Sequence, residues 1–412
     1  PTERRSTDRM RAIIADPGGI GFTMRFVDRV ARHRQDVLAA EQLVRLVTDR
    51  DLPGFLGRMD RLMLQVGARL APALPRLVMP LARRRLRQLV GHMVVDAAPG
   101  PMHDHLARRR TDGYDMNVNL LGEAVLGEGE ASRRFERTLE LIRDPAVDYV
   151  SVKVSAIASQ LNMWAFDHTL ERIKDRLRAL YRAAAAAPTE AGRTTFVNLD
   201  MEEHRDLEVT LRAFMELLDE PDLKDLEAGI VLQAYLPDAF GALQRITAWA
   251  GARSSTGGGD VKVRLVKGAN LGMERVDAAM HGWVQAPYGT KAEVDANYKR
   301  CVDWALRPIH ARSVRIGLAS HNLFDVAWAH LLAEARGVAD RVEFEMLQGM
   351  APSQARVVRA EAGGLLLYTP TVGRDDFDVA VSYLFRRLEE NSSEENFLHH
   401  LFTLRPGTPD FE

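Results

Sequence analysis

The stretch VKVRLVKGAN, at Val261–Asn270, is a short run rich in β-branched residues that ends in a lysine and a glycine. Such a run is typical of a strand buried in a parallel sheet. Seven more runs of this kind occur along the chain, each followed by a longer segment with helical spacing. The predicted strands are Met116–Leu121, Tyr149–Val154, Thr195–Leu199, Gly229–Ala234, Val261–Val266, Val314–Leu318, Val342–Leu347 and Gly364–Leu367.

Eight strand–helix units at regular spacing predict an α/β fold, a (β/α)8 barrel of the TIM type. Enzymes with this fold carry the active site at the C-terminal ends of the strands. Polar or aromatic residues stand near those ends in this chain, and they are the first candidates for a site. They are Glu123, Lys153, Asp200, Gln233, Lys267, His321, Asn322, Gln348 and Tyr368.

The first part of the chain differs from the rest. It has apolar residues at helical spacing and no predicted strand, and four prolines between Pro53 and Pro80 divide it into short helices. We predict an all-α accessory region over 1–110, and a barrel with a C-terminal helix and an exit segment over 111–412. A basic cluster in the first region is either a solvated helix face or a contact for an acidic surface such as anionic lipid: Arg83, Arg84, Arg85 and Arg87.

Composition limits the classes of function. The chain has 412 residues and a formal net charge of −2, which gives no overall case for binding nucleic acid. Its one cysteine, Cys301, cannot form an internal disulfide, so a reducing cytoplasm is expected. No stretch reaches the roughly 18 to 20 apolar residues that cross a bilayer. The histidines lack HxH or HExxH spacing at a strand end, and no catalytic metal is expected.

Two adjacent arginines, Arg386 and Arg387, lie on the predicted helix after the last strand. Guanidinium groups bind carboxylates in a bidentate manner, so the pair could hold an anionic substrate. Glu390 follows at a distance that permits ion pairs on a helix. The alternative is an ordinary surface network of arginine and glutamate.

Cations also stand within the predicted strands. Lys153 lies among small and apolar residues, where a lysine is costly unless it is paired or functional, and Asp200 on the next strand is its nearest candidate partner. Arg264 and Lys267 with Gly268 predict an anionic cofactor at the barrel mouth, because a glycine lets the backbone approach a ligand closely. His321 and Asn322, listed above, would add hydrogen-bond donors there.

Taken in order, these segments resemble the flavin-dependent proline dehydrogenase domain, and most closely its form in bacterial bifunctional proline utilization A proteins of the actinobacterial type. The resemblance covers roughly residues 120–404. It depends on motifs that lie on successive predicted strands and on the last helix: SVKVSA (151–156), LDMEE (199–203), VLQAY (231–235), VRLVKGA (263–269), ASHN (319–322), EFEMLQGM (343–350), LLLYTP (365–370) and YLFRRLEEN (383–391).

The resemblance implies a distorted barrel that binds FAD and oxidises L-proline to Δ1-pyrroline-5-carboxylate by hydride transfer to flavin N5, the first step of proline catabolism to glutamate. Electrons would pass to a membrane quinone. Peripheral membrane contact, stronger in the reduced state, is expected through the basic, apolar stretch Leu77–Val90. The enzyme of the next step, L-glutamate-γ-semialdehyde dehydrogenase, would be a fused or separate module. The segment after 391 resembles a linker, so a longer native chain stays open.

On the substrate side, the resemblance implies that Lys153, Arg386 and Arg387 bind the proline carboxylate. Asp200 would pair with Lys153, and Glu390 would hold the arginine helix.

The remaining substrate-side roles concern the walls of the pocket. Glu123 would close a gate by pairing with one of the arginines, and Tyr368 and Leu347 would pack against the proline ring. Asn270 stands where many proline utilization A proteins have an aromatic residue, so one wall of the pocket differs in this chain.

On the cofactor side, Arg264 would lie beside flavin N5 and stabilise the reduced ring. The other residues that the resemblance places around the flavin are Gln233, Val266, Lys267, Gly268, Ser320, His321 and Asn322. From the residues alone two other functions stay open: a Schiff-base lyase with Lys153 or Lys267 as the nucleophile, and a catalytically silent barrel that serves as a scaffold.

Overall fold

The computed structural model describes residues 12, 16, 18–31, 33, 35–48, 52–90, 93–122, 125–186, 190, 192, 194–373, 380, 383, 387, 396–400, 404, 406–408 and 411. The chain divides into two compact units. One consists of Pro1–Met102, Gln348–Pro352 and Pro370–Glu412, and the other of His103–Leu347 and Ser353–Thr369.

The strands form one parallel sheet, and eight of them close into a barrel. The strands are β1 (Val95–Asp96), β2 (Asp115–Leu120), β3 (Tyr149–Lys153), β4 (Phe196–Asp200), β5 (Ala228–Gln233), β6 (Val261–Val266), β7 (Val314–Ala319), β8 (Val342–Leu347) and β9 (Leu366–Val372). From β2 to β9 each strand pairs with the next, and β9 also pairs with β2, which closes the barrel. The predicted (β/α)8 barrel is therefore confirmed.

Helices alternate with these strands. They are α1 (Gly19–Phe26), α2 (Asp36–Thr48), α3 (Arg58–Leu70), α4 (Pro75–Val90), α5 (Pro99–Thr111), α6 (Glu128–Arg143), α7 (Val154–Ile157), α8 (Phe166–Ala186), α9 (Leu207–Leu218), α10 (Asp238–Ser255), α11 (Leu271–His281), α12 (Lys291–Ala305), α13 (Pro308–Ala311), α14 (Leu323–Ala335), α15 (Pro352–Ala362) and α16 (Phe397–His400). A π-helical turn, Val27–Ala31, extends α1.

Two strand predictions need correction. No strand was expected before residue 111, but β1 pairs with Thr371 and Val372 of β9. It is only two residues long, too short for its pattern to show in the sequence. The last strand was expected to end at Leu367 with Tyr368 beyond it, yet β9 continues to Val372. The apolar run stops at Leu367, but the strand continues past it through Tyr368, Thr369 and Pro370.

A short turn separates β4 from the helix that follows it. Asp200 is the last residue of β4, a 3-10 turn occupies His204–Asp206, and α9 starts at Leu207. The Asp200 carboxylate accepts hydrogen bonds from Ser151 of β3 and Arg264 of β6, so it is not available to cap a helix.

The barrel interior is polar in its middle layer. On β6 the side chains of Lys262 and Arg264 alternate with those of Val263 and Leu265, and all four are buried. The two cations contact residues of β8, which is not a neighbour of β6 in the sheet. Contacts between strands that are not neighbours cross the interior, so Lys262 and Arg264 point inward. Barrel interiors are usually filled by branched apolar residues, which makes these charges notable.

In the other unit, α1 to α4 share an apolar core that includes Phe22, Val30, Leu43 and Met79. An ion pair of 2.6 Å joins Arg83 of α4 to Asp36 at the start of α2. Helices therefore dominate this part of the described chain, as their apolar spacing predicts.

Candidate active site

Arg264 is the centre of a buried network inside the barrel. Its Nε donates to Glu345 Oε2 at 2.5 Å, and its Nη1 donates to Asp200 Oδ1 at 3.0 Å and to Ser151 Oγ at 3.2 Å. Only 4% of the Arg264 side chain is exposed. The sequence placed this arginine at the barrel mouth, but its side chain lies inside, where β3, β4 and β8 supply its partners.

Lys262 extends the network. Its ammonium lies 2.7 Å from Glu345 Oε1, contacts the carboxylate of Glu343, and stands over the ring of Tyr149 with 5.0 Å to the centroid. Burial lowers the pKa of Lys262 to about 8, although Glu345 opposes that shift. Burial would raise the pKa of Glu345, but Arg264 and Lys262 outweigh it and hold that pKa below its ordinary value.

Tyr368 joins the network at the C-terminal side. Its hydroxyl donates to Asp200 Oδ2 at 2.7 Å, and the Arg264 guanidinium carbon lies 5.4 Å from the centre of its ring. The other oxygen of Asp200 accepts from Ser151 at 3.0 Å and from Asn198 at 3.1 Å. Asp200 therefore fixes Tyr368, a predicted site residue, through one carboxylate oxygen, while hydrogen bonds to the other oxygen hold the carboxylate in place.

Lys153 has a different partner from the one predicted. Its Nζ lies 2.5 Å from Glu202 Oε1 and 3.3 Å from the carbonyl oxygen of Gly122. Lys153 and Asp200 are neighbours in the register of β3 and β4, but Asp200 turns into the interior. Glu202, held by the Ser155 hydroxyl at 2.9 Å, takes the lysine instead. The expected Lys153–Asp200 pair is therefore wrong.

Lys267, just after β6, contacts two aspartates. Its Nζ lies 2.6 Å from Asp295 Oδ1 and 2.7 Å from Asp325 Oδ2. Burial works to lower the pKa of Lys267, but Asp325 and Asp295 outweigh it, and the pKa is raised. Lys291 also pairs with Asp295, so the four charges of this group balance. Lys267 was predicted to bind an anionic cofactor, but in the structure Asp295 and Asp325 are its anionic partners.

Gln233 and Asn270 meet at one backbone oxygen. Asn270 Nδ2 donates to the carbonyl of Glu202 at 2.8 Å, and Gln233 Nε2 approaches the same oxygen at 3.4 Å. The side-chain oxygen of Gln233 is buried and accepts no hydrogen bond from any described residue. Such an acceptor suits an N–H donor of a bound group, because buried polar atoms are nearly always paired.

The segment after β7 is ordered by local hydrogen bonds. His321 Nε2 accepts from the backbone N–H of Leu347 at 3.1 Å, so that nitrogen carries no proton. Ser320 Oγ accepts from the N–H of Asn322 at 3.0 Å, and Asn322 Oδ1 caps α14 by accepting from the N–H of Phe324 at 3.0 Å. These residues stand at the N-terminus of a helix, where backbone N–H groups and the helix dipole favour anions.

Gly268 has a backbone conformation that favours glycine, with φ of +122°. A Cβ at this position would lie 2.5 Å from the ring of Tyr235. The glycine is therefore required by the packing of Tyr235 and not only by a ligand, as the sequence suggested. Val266 precedes it at the end of β6, half-buried, and its carbonyl accepts from the N–H of Ala234 at 2.8 Å.

Four predicted residues concern the last helix and the gate. Arg387 is helical, and its guanidinium carbon lies 5.1 Å from the ring centre of Tyr383. Glu123, Arg386 and Glu390 lie outside the described residues, so the arginine pair and the gate stay predictions.

Several residues of the network were missed in the sequence, above all Lys262, Glu345 and Glu202. A signal existed for the first two. VKVRLV and VEFEML both place charges two residues apart within a strand, so each pair shares one face. Two cations on one strand and two anions on another, both in a closed barrel, indicate interior ion pairs.

The comparison with protein families decides the classification. The sequence model of the family described as "Proline dehydrogenase" matches residues 102–400, most of the chain. The chain belongs to the proline dehydrogenase family. The resemblance noted in the motifs is thereby confirmed, and the family match covers every strand of the barrel.

Solved structures agree with this assignment. The proline utilization A protein of Corynebacterium freiburgense is 52% identical, with a TM-score of 0.70, over 82% of this chain and 34% of that chain. The protein of the same name from Bdellovibrio bacteriovorus, in a structure described as inactivated by N-propargylglycine, is 30% identical, with a TM-score of 0.75, over 96% of this chain and 39% of that chain.

Curated proteins point the same way. The proline dehydrogenase of Deinococcus radiodurans is 27% identical over 77% of this chain and 91% of its own length. The bifunctional protein PutA of Klebsiella aerogenes is 27% identical over 70% of this chain, but the match spans only 22% of that protein. The match therefore spans most of the Deinococcus protein but only about a fifth of the bifunctional one.

Proposed function

We propose that this chain oxidises L-proline to Δ1-pyrroline-5-carboxylate with FAD as its cofactor, the first step of proline catabolism. The observation that carries the proposal is the family match over 102–400, together with the polar groups that this barrel brings to its C-terminal end. These are Lys153 with Glu202 on one side and Tyr368 with Asp200 on the other.

Substrate recognition would divide between charge and packing. Lys153 belongs to the predicted carboxylate clamp, with Arg386 and Arg387 as its other predicted members. Its present partner, Glu202, is an anion, so a substrate carboxylate would replace or share the contact that Glu202 makes. Tyr368 and Leu347 would provide the apolar wall for the ring, with Asp200 keeping the Tyr368 hydroxyl turned toward the interior.

The residues fit a flavin at two points. The buried side-chain oxygen of Gln233 offers an acceptor for a ring N–H. The N-terminus of α14, with Ser320, His321 and Asn322, offers backbone N–H groups to phosphate. Lys267 would have to leave at least one aspartate to contact an anionic group. Val266 and Gly268 would line the same face, next to β6.

When bound, the flavin supplies the redox chemistry by accepting the hydride that leaves the substrate carbon next to nitrogen. The chain's own residues orient the substrate and provide the electrostatics. Arg264 places a permanent positive charge in the barrel interior, which favours negative charge on a neighbouring ring. Arg264→Met should then give a more negative flavin midpoint potential, measured by spectroelectrochemistry. An unchanged midpoint would exclude this role.

The proposal also fixes how the rate depends on pH. Hydride loss requires the neutral amine of the substrate, so the rate should rise with pH until the amine is deprotonated.

The direct test of the activity is dye reduction in the presence of L-proline, with D-proline and glycine as controls. Proline-dependent reduction supports the proposal. Borohydride trapping of a substrate on Lys153 or Lys267 would support a lyase instead, and bound flavin without any turnover would support a silent scaffold.

We further propose that electrons pass to a membrane quinone and that the contact with lipid is peripheral. Every described helix is too short or too polar to cross a bilayer. On α3, on α4 and in the turn between them, however, exposed apolar residues recur at helical spacing. This α3–α4 apolar stripe consists of Met59, Leu62, Met63, Val66, Leu70, Leu74, Leu77 and Leu81.

Charge favours anionic lipid as the occupant of the stripe. Within 58–90 the sequence contains one acidic residue, Asp60, and arginines at 58, 61, 69, 76, 83, 84, 85 and 87. A helix with apolar residues on one side and arginines beside them is typical of an interfacial helix. Arg83 itself pairs with Asp36, so the other arginines would make the lipid contact.

Co-sedimentation with vesicles tests this surface. The parent should bind anionic vesicles more strongly than neutral ones, and more strongly when reduced. Leu77→Gln with Leu81→Gln should weaken binding, as should Arg84→Gln with Arg76→Gln. Equal binding by all proteins, or self-association of the parent through the stripe in sedimentation experiments, would remove lipid as the occupant. We also propose that the enzyme acts in the cytoplasm. An L-glutamate-γ-semialdehyde dehydrogenase module, fused or separate, would carry out the next step of proline catabolism.

A further inference from the structure

Glu345 lies deep in the barrel and connects two cations. Its Oε2 accepts from Arg264 Nε at 2.5 Å, and its Oε1 lies 2.7 Å from Lys262 Nζ. Only 2% of its side chain is exposed. The charges then alternate along a continuous line through Lys262, Glu345, Arg264 and Asp200 to the hydroxyl of Tyr368.

The geometry points to Glu345 as a positioning residue for the substrate pocket, acting through Arg264. This inference depends on the proposed function, since it names a further residue for the same site. Arg264 is a planar fork with fixed donor directions. When Glu345 holds the Nε edge, the Nη1 edge is directed at Asp200 Oδ1.

The position of Arg264 reaches Tyr368 in two ways. Asp200, which accepts from Arg264, also accepts the Tyr368 hydroxyl on its other oxygen. The Arg264 guanidinium carbon stands 5.4 Å from the centre of the Tyr368 ring. A shift of the guanidinium therefore changes both contacts that hold Tyr368, and Tyr368 is the residue proposed to pack against the substrate ring.

A neutral amide cannot replace Glu345. Glutamine has one acceptor oxygen and one NH2 group that only donates. With Lys262 on one side and Arg264 on the other, a glutamine must direct its NH2 group at one of two cations. That cation then faces a donor where it had a carboxylate oxygen, so Glu345→Gln should displace Arg264 or Lys262.

Glu343 provides a matched control. It lies two residues earlier on β8, points to the same side, and contacts Lys262 but has no ion pair with Arg264 in the described structure. Glu343→Gln removes a carboxylate from the same lysine and leaves the Arg264–Glu345 contact in place. It should give proline kinetics close to those of the parent.

A second variant keeps the charge balanced. Lys262→Met with Glu345→Leu removes one cation and one anion together, so it should fold even if Glu345→Gln alone does not. Leucine has no acceptor, so the contact that Glu345 makes with Arg264 is lost in the double variant. We expect the double variant to raise the KM for L-proline by about 10-fold or more with a smaller change in kcat, because the pocket and not the cofactor chemistry is disturbed.

Crystal structures of the same proteins give a readout that does not depend on activity. In the double variant the distance from Arg264 Nη1 to Asp200 Oδ1, or from the Tyr368 hydroxyl to Asp200 Oδ2, should exceed hydrogen-bond length. In Glu343→Gln both should stay as in the parent. If the parent fails to reduce dye with proline, the proposed function fails, and these distances still decide the role of Glu345.

Two results would overturn the inference. One is a double variant with the parent's KM and the parent's Arg264 and Tyr368 contacts. The other is an equal rise in KM for Glu343→Gln, which would assign the effect to loss of charge around Lys262 and not to Arg264.

Discussion

Replacing Arg264 with methionine tests the energetics of the barrel interior. Methionine replaces the aliphatic part of the side chain but carries no charge, so the two carboxylates that Arg264 binds, Asp200 and Glu345, stay buried without their shared cation. Breaking a buried pair by removing one partner costs about 3–5 kcal/mol. The barrel unit has about 260 residues, for which the entropy of unfolding is about 0.55 kcal/mol per degree. The expected drop in Tm is therefore about 5–9 °C.

The drop should depend on pH in a defined direction. Burial raises the pKa of Glu345, but Arg264 and Lys262 outweigh it, so the folded pKa lies below the ordinary 4.5. A lowered carboxyl pKa contributes stability above the unfolded pKa, and that stability is lost as the pH falls through the folded pKa. Without Arg264 the pKa of Glu345 rises. The Tm difference between parent and variant should thus be largest near pH 7 and shrink below about pH 4.5.

Differential scanning calorimetry at several pH values measures this difference. Arg315→Met is the control, because Arg315 on the next strand pairs with Glu227 at 2.7 Å on a partly exposed surface. Pairs of that kind contribute about 0–1 kcal/mol, so its Tm should fall by less than about 2 °C. An Arg264→Met protein that melts within 2 °C of the parent at pH 7, or a difference that does not change with pH, would refute the reasoning.

Three other outcomes follow from single sites. Burial lowers the pKa of Lys262 to about 8, against 10.5 in the unfolded chain, so between those pH values the unfolded state binds more protons and the Tm should rise with pH. Lys262→Met should remove that rise, and the same dependence of Tm on pH in parent and variant would contradict the argument. Gly268→Ala should lower the free energy of unfolding in urea by about 1–3 kcal/mol, because its Cβ would meet Tyr235. Gly282→Ala, at φ of +68° in open space, should lower it less, and the reverse order would disprove the packing argument. Arg387→Met should raise the proline KM by about 10- to 150-fold with normal flavin content, and parent kinetics would remove that arginine from the site.

The strands and their order could be predicted from the sequence because a buried parallel strand leaves a local signature of apolar, β-branched residues. Val261–Val266 and Val342–Leu347 agree with the structure residue for residue. The last strand was cut short at Leu367, since the apolar run ends there and the pairing of β9 with β1 is not local.

The side-chain partners of the site were less predictable, because they depend on which way each chain turns inside the barrel. Lys153 and Asp200 are neighbours in register, yet one turns to Glu202 and the other to Arg264. The sequence places both residues at strand ends but cannot show that a second carboxylate, two residues beyond Asp200, competes for the lysine. The charges of VKVRLV and VEFEML indicate interior ion pairs, but charge balance inside a closed barrel is a three-dimensional property, so the sequence does not show which carboxylate binds Arg264.

The central claim is flavin-dependent oxidation of proline by this barrel. The most direct measurement is the absorbance spectrum of the purified chain, supplied with FAD, before and after anaerobic addition of L-proline. The expected result is flavin bands that are bleached by L-proline and not by D-proline, with one flavin reduced per chain. Absence of bound flavin, or bound flavin whose spectrum L-proline leaves unchanged, would contradict it.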